Sequence, residues 1–426
     1  MALITMFDAP IDPTTFIDAV EMVIRQSDAL RTTIRNVDGV PHPTVTATPP
    51  APCLVERVAL EELDEWMHER ISKPLDVATA AYDSVLVDLG NDAWAWFFNV
   101  HHLVIDAASS ANVFRSVAAA YHGETVELPL YEKVWTELVN SISEKRSTKA
   151  SDHWALLPDA LPTSLYQPTG ELTTAAERIS IDMGSGRQVA FDEFTADPRF
   201  ATLSQELSQA VALALLTSSY LARLGNDEVT IGVPIHHRST NFSKVVVGPL
   251  VELFPLQVSI ADDDTFATLH KKILRSFFTL LSNALPGTAP RQSFDVVLNV
   301  HAATMGNFGT IGATTRWIHP GHVDPHHVLR VQALDYDGSG VLELGLDINH
   351  RNADSGQRRR AGRHVAAVFD AMLADPDALV HSVLLIDSDE QLLLESFTVP
   401  GDGNAIAGSI PEVCLLYTSP RTRDRG

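Results

Sequence analysis

Cysteine is nearly absent. Cys53 and Cys414 are the only two in 426 residues. A pair so far apart makes neither a metal-ligand spacing nor a disulfide framework, so a reducing cytoplasm is the expected setting. Positive charge is scarce too: 31 lysines and arginines stand against 54 aspartates and glutamates, a net charge of −23. A chain so acidic lacks the basic field that nucleic acid or an anionic membrane surface requires. No apolar run is long enough to cross a bilayer, and no basic start leads into an apolar core at the N-terminus. There is no G-x-S-x-G elbow, and no serine or cysteine stands where a covalent acyl intermediate is suggested. The Gly-Ser-Gly triplets at 184–186 and 338–340 are too short for a phosphate loop and read as turns.

What remains is ordinary globular composition, 45% hydrophobic and 20% charged, in a chain long enough for two core-bearing domains or one large one. Its organising stretch is Asn99-Val100-His101-His102-Leu103-Val104-Ile105-Asp106-Ala107-Ala108-Ser109. The apolar and aromatic run 93–98 before it reads as a buried strand, and 108–121 after it as a helix. Two histidines and a carboxylate therefore sit at a strand-to-helix junction, where a rigid strand can hold a base against a substrate.

Along the chain, Asp12-Pro13 is a helix start, followed by Phe16, Ile17, Val20, Val23 and Ile24 at helical spacing to about Asp28. A strand at 30–36 turns at Asp38-Gly39, a hairpin signal. An acidic amphipathic helix is expected at 60–72, and two strands at 82–89 and 93–100 joined by Gly90-Asn91-Asp92. One helix is expected over 131–144, leading to His153-Trp154. The stretch 158–170, rich in Pro, Thr and Gly, reads as a linker between two halves. Beyond it, strands are expected at 178–183, 229–235, 250–260, 294–301, 329–334 and 341–348, and helices at 201–224, 266–285 and 359–373. Pro255 interrupts its strand, which places that strand at an edge or a bend.

A neutral imidazole can take a proton from an amine or hydroxyl as it attacks a carbonyl. Adjacent histidines on extended backbone point to opposite sides, so only one of His101 and His102 can face a substrate. Spacing alone fits two satisfied core histidines near a helix cap equally well. Asp106 could orient a ring or hold the loop through an arginine. Arg238 ends the buried-looking strand Ile231-Gly232-Val233-Pro234-Ile235, and a bidentate pair with Asp106 would tie the two halves together. An exposed strand-end arginine is the plain alternative. His236-His237 and His326-His327 have no carboxylate or cysteine at ligand spacing, so no metal is expected. Trp94, Trp96, Phe97 and Phe98 read as core, and Glu61, Glu62, Asp64 and Glu65 as a solvated helix face.

These residues resemble a nonribosomal peptide synthetase condensation domain, of the HHxxxDG acyltransferase superfamily. His101-His102-Leu103-Val104-Ile105-Asp106-Ala107 stands for the central HHxxxDG. Arg25-Gln26-Ser27-Asp28-Ala29-Leu30-Arg31-Thr32 resembles the early RHxxLRT element. Tyr131 to Trp135, His153-Trp154, Ile231 to Arg238, Gly248 to Leu256 and 341–349 follow in the family's order, across roughly residues 3 to 411.

The resemblance implies an α/β (α+β) fold of two chloramphenicol acetyltransferase-like halves in a V-shaped pseudo-dimer, with mixed sheets flanked by helices. The N-terminal half would be 1–157, the linker 158–172 and the C-terminal half 173–396. Residues 397–413 resemble the lead-in to an adenylation domain, and 414–426 an artefactual tail like a translated sequencing adapter. It further implies that His102 positions or deprotonates the acceptor amine, that His101 is packed and supportive, and that Asp106 is structural and paired with Arg238. No cofactor or metal is bound directly. Donor and acceptor peptidyl carrier proteins present substrates on phosphopantetheine arms beside a neighbouring adenylation domain. Three departures stand out: Ala107 for the family's glycine, Glu252 for a frequent asparagine, and Gln26 for the early histidine. The family also has a strand and helix before Leu3, so a fragment of a larger synthetase is expected. Ester formation, or carrier and tailoring-enzyme docking without catalysis, remain alternatives on the same fold.

Overall fold

The computed structural model describes residues 1–157, 170–290, 294–301, 305–335, 341–386, 390–392 and 394. Most of the expected linker, the 338–340 triplet, the lead-in and the tail lie outside the described residues. Met1–Val383 form one compact unit.

In chain order the first part contains β1 (Ala2–Phe7), α1 (Pro13–Gln26), β2 (Thr32–Val37), β3 (Val40–Val45), β4 (Cys53–Arg57), α2 (Leu63–Ser72), β5 (Tyr82–Gly90), β6 (Ala93–Val100), α3 (Ala107–Tyr121), α4 (Tyr131–Asn140) and α5 (Glu144–Ala155). The second part contains β7 (Ala176–Ile181), α6 (Gly184–Ala196), α7 (Gln205–Arg223), β8 (Glu228–His236), α8 (Asn241–Val245), β9 (Val251–Ser259), α9 (Phe266–Asn283), β10 (Val296–His301), β11 (Ala313–Ile318), β12 (Leu329–Leu334), β13 (Glu343–Asn349) and α10 (Ser355–Ala374).

Two mixed sheets carry the fold, flanked by helices. The first has the order β11-β1-β6-β5-β4 and the second β7-β13-β12-β10-β8-β9. β6 is the middle strand of its sheet, which explains its unbroken apolar run. Trp96 and Phe98 pack with Phe16, Val20, Phe114 and Val117 of α1 and α3. Ala95 and Phe97 face the other way, onto Leu63, Met67 and Ile71 of α2. A strand buried on both faces shows no alternation. In the second sheet β9 is the edge strand, where Pro255 removes no needed donor.

The sheets are not built from separate stretches of chain. β11 follows β10 in sequence yet pairs with β1, Trp317 opposite Leu3 and Thr315 opposite Thr5. Phe308 inserts its ring between Phe7 and Phe114, with centroids at 5.0 and 5.5 Å. The second half thus supplies an edge strand and a core aromatic to the first.

Local rules place most element ends. Asp12 accepts from Thr15 N at 2.8 Å to start α1. Asp38 and Gly39 take positive φ, 53° and 81°, in the hairpin turn. The structure departs from expectation in several places. The helix expected over 131–144 is two, α4 and α5. Ser141 Oγ bonds back to Leu138 O at 2.7 Å, and Ser143 sits at the start of α5. The segment 60–72 opens with a 3-10 turn at Leu60–Glu62 before α2. Gly184-Ser185-Gly186 is the first turn of α6 rather than a loop. β1, β4, β11, α6 and α8 had not been expected.

Candidate active site

β6 delivers the histidines. Its hydrogen bonding runs on past Val100, with His101 N donating to Ala81 O at 2.7 Å. Val104 N then donates to His101 O at 3.1 Å, closing a turn over residues 101–104. Val104 and Ile105 plug the loop into the core, while His102 and Leu103 are left exposed. The two histidines therefore do not alternate on extended backbone. His101 is half-buried, its Nδ1 accepting from Leu103 N at 3.2 Å, and His102 occupies the turn itself.

His102 meets solvent, yet surrounding protein lowers its pKa through desolvation. The Met1 amino group and Arg330 act in the same direction, and Asp106 opposes them. The solvent contact limits the desolvation and leaves the residue reachable. The imidazole is consequently neutral near neutral pH, the form that accepts a proton.

Asp106 is fully buried and fully occupied. It caps α3 by accepting from Ser109 N at 2.8 Å, and it accepts from Leu250 N at 2.9 Å. Both of its oxygens take the same nitrogen, Nη2 of Arg238, at 2.7 and 2.9 Å. Burial raises its pKa, but Arg238 and the N–H donors outweigh that and hold it below the usual carboxylate range. The expected pair exists, although not as a two-nitrogen fork. Nη1 of Arg238 is diverted to the carbonyls of Ser243 and Val246 at 2.7 and 3.0 Å.

Two further side chains on α3 complete this clamp, and sequence reasoning missed both. Ser109 Oγ donates to Gly248 O at 2.7 Å and accepts from Gly248 N at 3.0 Å. Asn112 Nδ2 donates to the carbonyls of Lys244 and Val246 at 3.0 and 3.1 Å. Asp106, Ser109 and Asn112 recur every three residues, one helical face, and this polar stripe on a buried helix was a readable signal. The segment they grip, 244–250, belongs to the second half. Tyr131 braces the same segment, its hydroxyl donating to Pro249 O at 3.0 Å. Its own backbone N–H is held by Asp28 Oδ1 at 2.8 Å, so Asp28 caps α4 from a distance.

The departures from the motif are absorbed. Ala107 is the first residue of α3, and it is not among the positive-φ residues, so its Cβ costs no backbone strain. Gln26 clips the loop before α4, donating to Val126 O at 2.6 Å and accepting from Leu128 N at 3.0 Å. Glu252 accepts from His237 Nε2 at 2.9 Å and Gly287 N at 2.8 Å.

Comparison with known proteins agrees with this architecture. The first condensation domain of the calcium-dependent antibiotic synthetase superposes with a TM-score of 0.74 at 18% identity, covering 91% of this chain and 93% of that one. Surfactin synthase subunit 1 of Bacillus subtilis (strain 168) is 22% identical over 412 residues, 88% of this chain and 11% of that protein. Tyrocidine synthase 3 of Brevibacillus parabrevis is 23% identical over 279 residues, 63% of this chain and 4% of that protein. The chain thus spans a small part of the synthetases it matches. Residues 1–283 match the condensation-domain family, and the chain belongs to it.

Proposed function

We propose that this domain forms an amide bond between two carrier-bound substrates in a nonribosomal peptide synthetase. His102 is the base, reachable from solvent and neutral at working pH. The acceptor amine attacks the donor thioester carbonyl; the C–N bond forms and the C–S bond breaks. His102 positions the amine and takes the proton it sheds, and the departing thiolate ends as a free thiol on the donor arm. No acyl-enzyme is needed. Asp106 takes no part in proton transfer, because Arg238, Ser109 and Leu250 occupy its lone pairs. It holds the loop, together with Arg238, and His101 stiffens the turn through Leu103 N.

The observation that carries this reading is a solvent-reachable His102 on a loop clamped by a buried ion pair. The partners are donor and acceptor peptidyl carrier proteins with phosphopantetheine arms, and a neighbouring adenylation domain, in the cytoplasm. Among the described residues no helix is long and apolar enough to cross a membrane. The test is transfer between loaded carriers. His102→Ala is expected to lower the rate by about 10²-fold or more with binding of the loaded carriers retained. An unchanged rate would sink the catalytic role. Transfer to a hydroxyl but not an amine would make the domain ester-forming, and carrier binding without transfer would make it a docking domain.

A further inference from the structure

Among the described residues, the Arg330 guanidinium has no ion-pair partner. It lies in β12, an interior strand of the second sheet, between β10 and β13. Leu329, Val331 and Ala333 of that strand point into the core. Arg330 and Gln332 occupy the opposite face. There Val297, Arg330, Asp347 and Arg178 lie side by side across four strands, and Asn299, Gln332, Gly345 and Ser180 form the next row.

In these rows the negative charge is already spent. Arg178 takes both oxygens of Asp347 at 2.6 and 2.7 Å, and Gly345 leaves room for its side chain. Gln332 Nε2 donates to Asp347 Oδ2 at 3.1 Å and its carbonyl accepts from Asn299 at 2.7 Å. The Arg330 side chain makes no hydrogen bond or ion pair with the described residues, and its shielded Nε has no acceptor. Asp347 and Asp324 attract it through space without pairing. A guanidinium stays protonated even so, which leaves a standing positive charge held against a desolvation penalty.

This face does not look outward. Trp317, on the strand lent to the first sheet, lies under the Arg178 guanidinium at 4.1 Å, and His319 Nε2 is 3.4 Å from Asp347. The polar face of the second sheet is thus turned toward the first half. Trp317 pairs with Leu3, and Leu3 with Phe98 on the strand that runs into His101 and His102, so this face lies beside the strand that delivers the histidines.

We infer that Arg330 is the counter-ion for a carboxylate on the acyl or aminoacyl group that reaches His102, so that one substrate of this domain is acidic. The inference builds on the acyl-transfer reading by naming a substrate class for it. The other anion available is the phosphate of the phosphopantetheine arm. That phosphate sits at the opposite end of the arm from the thioester, whereas Arg330 lies on the face turned toward the strand that delivers His102.

The experiment measures binding without chemistry. Aspartyl and asparaginyl groups, and succinyl and succinamyl groups, are joined to pantetheine through an inert amide, and binding to the whole chain is followed by calorimetry. At least one acidic ligand is expected to bind about ten-fold or more tightly than its neutral isostere. Arg330→Met is expected to abolish that preference, leave neutral affinity unchanged, and melt no lower than wild type, because no partner is stranded. Arg330→Gln serves as the second variant. Equal binding of both members of each pair, or a preference that survives in both variants, overturns the assignment. So does an Arg330-dependent preference for phosphopantetheine over pantetheine, which assigns the charge to the arm itself. Since nothing reacts, acidic preference in a chain that transfers nothing defeats only the catalytic reading. Transfer without acidic preference defeats only this one.

Discussion

At Asp106 one carboxylate does three structural jobs: it caps α3, holds Leu250 N, and neutralises Arg238. Removing it strands a buried guanidinium, so Asp106→Ala is expected to cost about 3–5 kcal/mol in urea unfolding. Adding Arg238→Met should recover part of that loss, since it removes the uncompensated charge; purely additive losses would show that the pair is not coupled. Ala107 argues differently. Its backbone is ordinary helix, so Ala107→Gly should shift stability by no more than ~1 kcal/mol. Any rise in transfer rate then measures how far the Cβ crowds a substrate. At this scale the site was partly legible. His102 and Asp106 stand in one short motif, and an arginine ending a buried strand needs a partner, which points to Arg238. Arg330 escaped notice because an alternating strand shows which residues share a face, but not what the other half places opposite them.

At the scale of elements, the junction between α3 and the segment 244–250 depends on close approach. At Gly248 a Cβ would lie 2.1 Å from Cδ2 of Tyr131, a ring fixed through its hydroxyl to Pro249 O. Gly248→Ala must displace that ring and loosen the grip of Ser109. A loss of roughly 1–3 kcal/mol is expected by thermal or urea unfolding. Tyr131→Ala in the same chain should relieve the clash, and an equally large loss at 248 in that background would refute it. Strands and helices with strong local periodicity, such as β6, α1 and α9, were legible because their burial patterns follow from neighbours in sequence. β11 was not. Its six residues earn their place only by pairing with β1, some 310 residues away, as in the Thr5–Thr315 hydroxyl contact. Short strands of that kind are fixed by non-local partners rather than by propensity.

Across the whole molecule, acid should act through histidines more than through the acidic surface. His270 is buried against the rings of Phe194 and Phe200, and among the described residues neither ring nitrogen has a partner. His327 is buried against Phe294, and its two nitrogens are likewise unpartnered among the described residues. Burial pushes both down to about 4. In the unfolded chain each would titrate near its ordinary value of about 6.5. Above that value both states are neutral, and the contribution to stability is complete. As pH falls toward 4 the unfolded chain binds protons that the folded chain refuses, and stability drains away. The loss is on the order of 3 kcal/mol for each histidine at the lower end. Asp106 and Asp264, held low by their cationic partners, add to the loss only below the ordinary carboxylate range. Unfolding midpoints should therefore fall steeply between about pH 6.5 and pH 4, before the carboxylates titrate. His270→Leu should flatten that slope while leaving the fold intact at neutral pH. A wild-type slope retained in this variant would mean that the core accommodates a charged imidazole at 270, against the geometry of its aromatic cage.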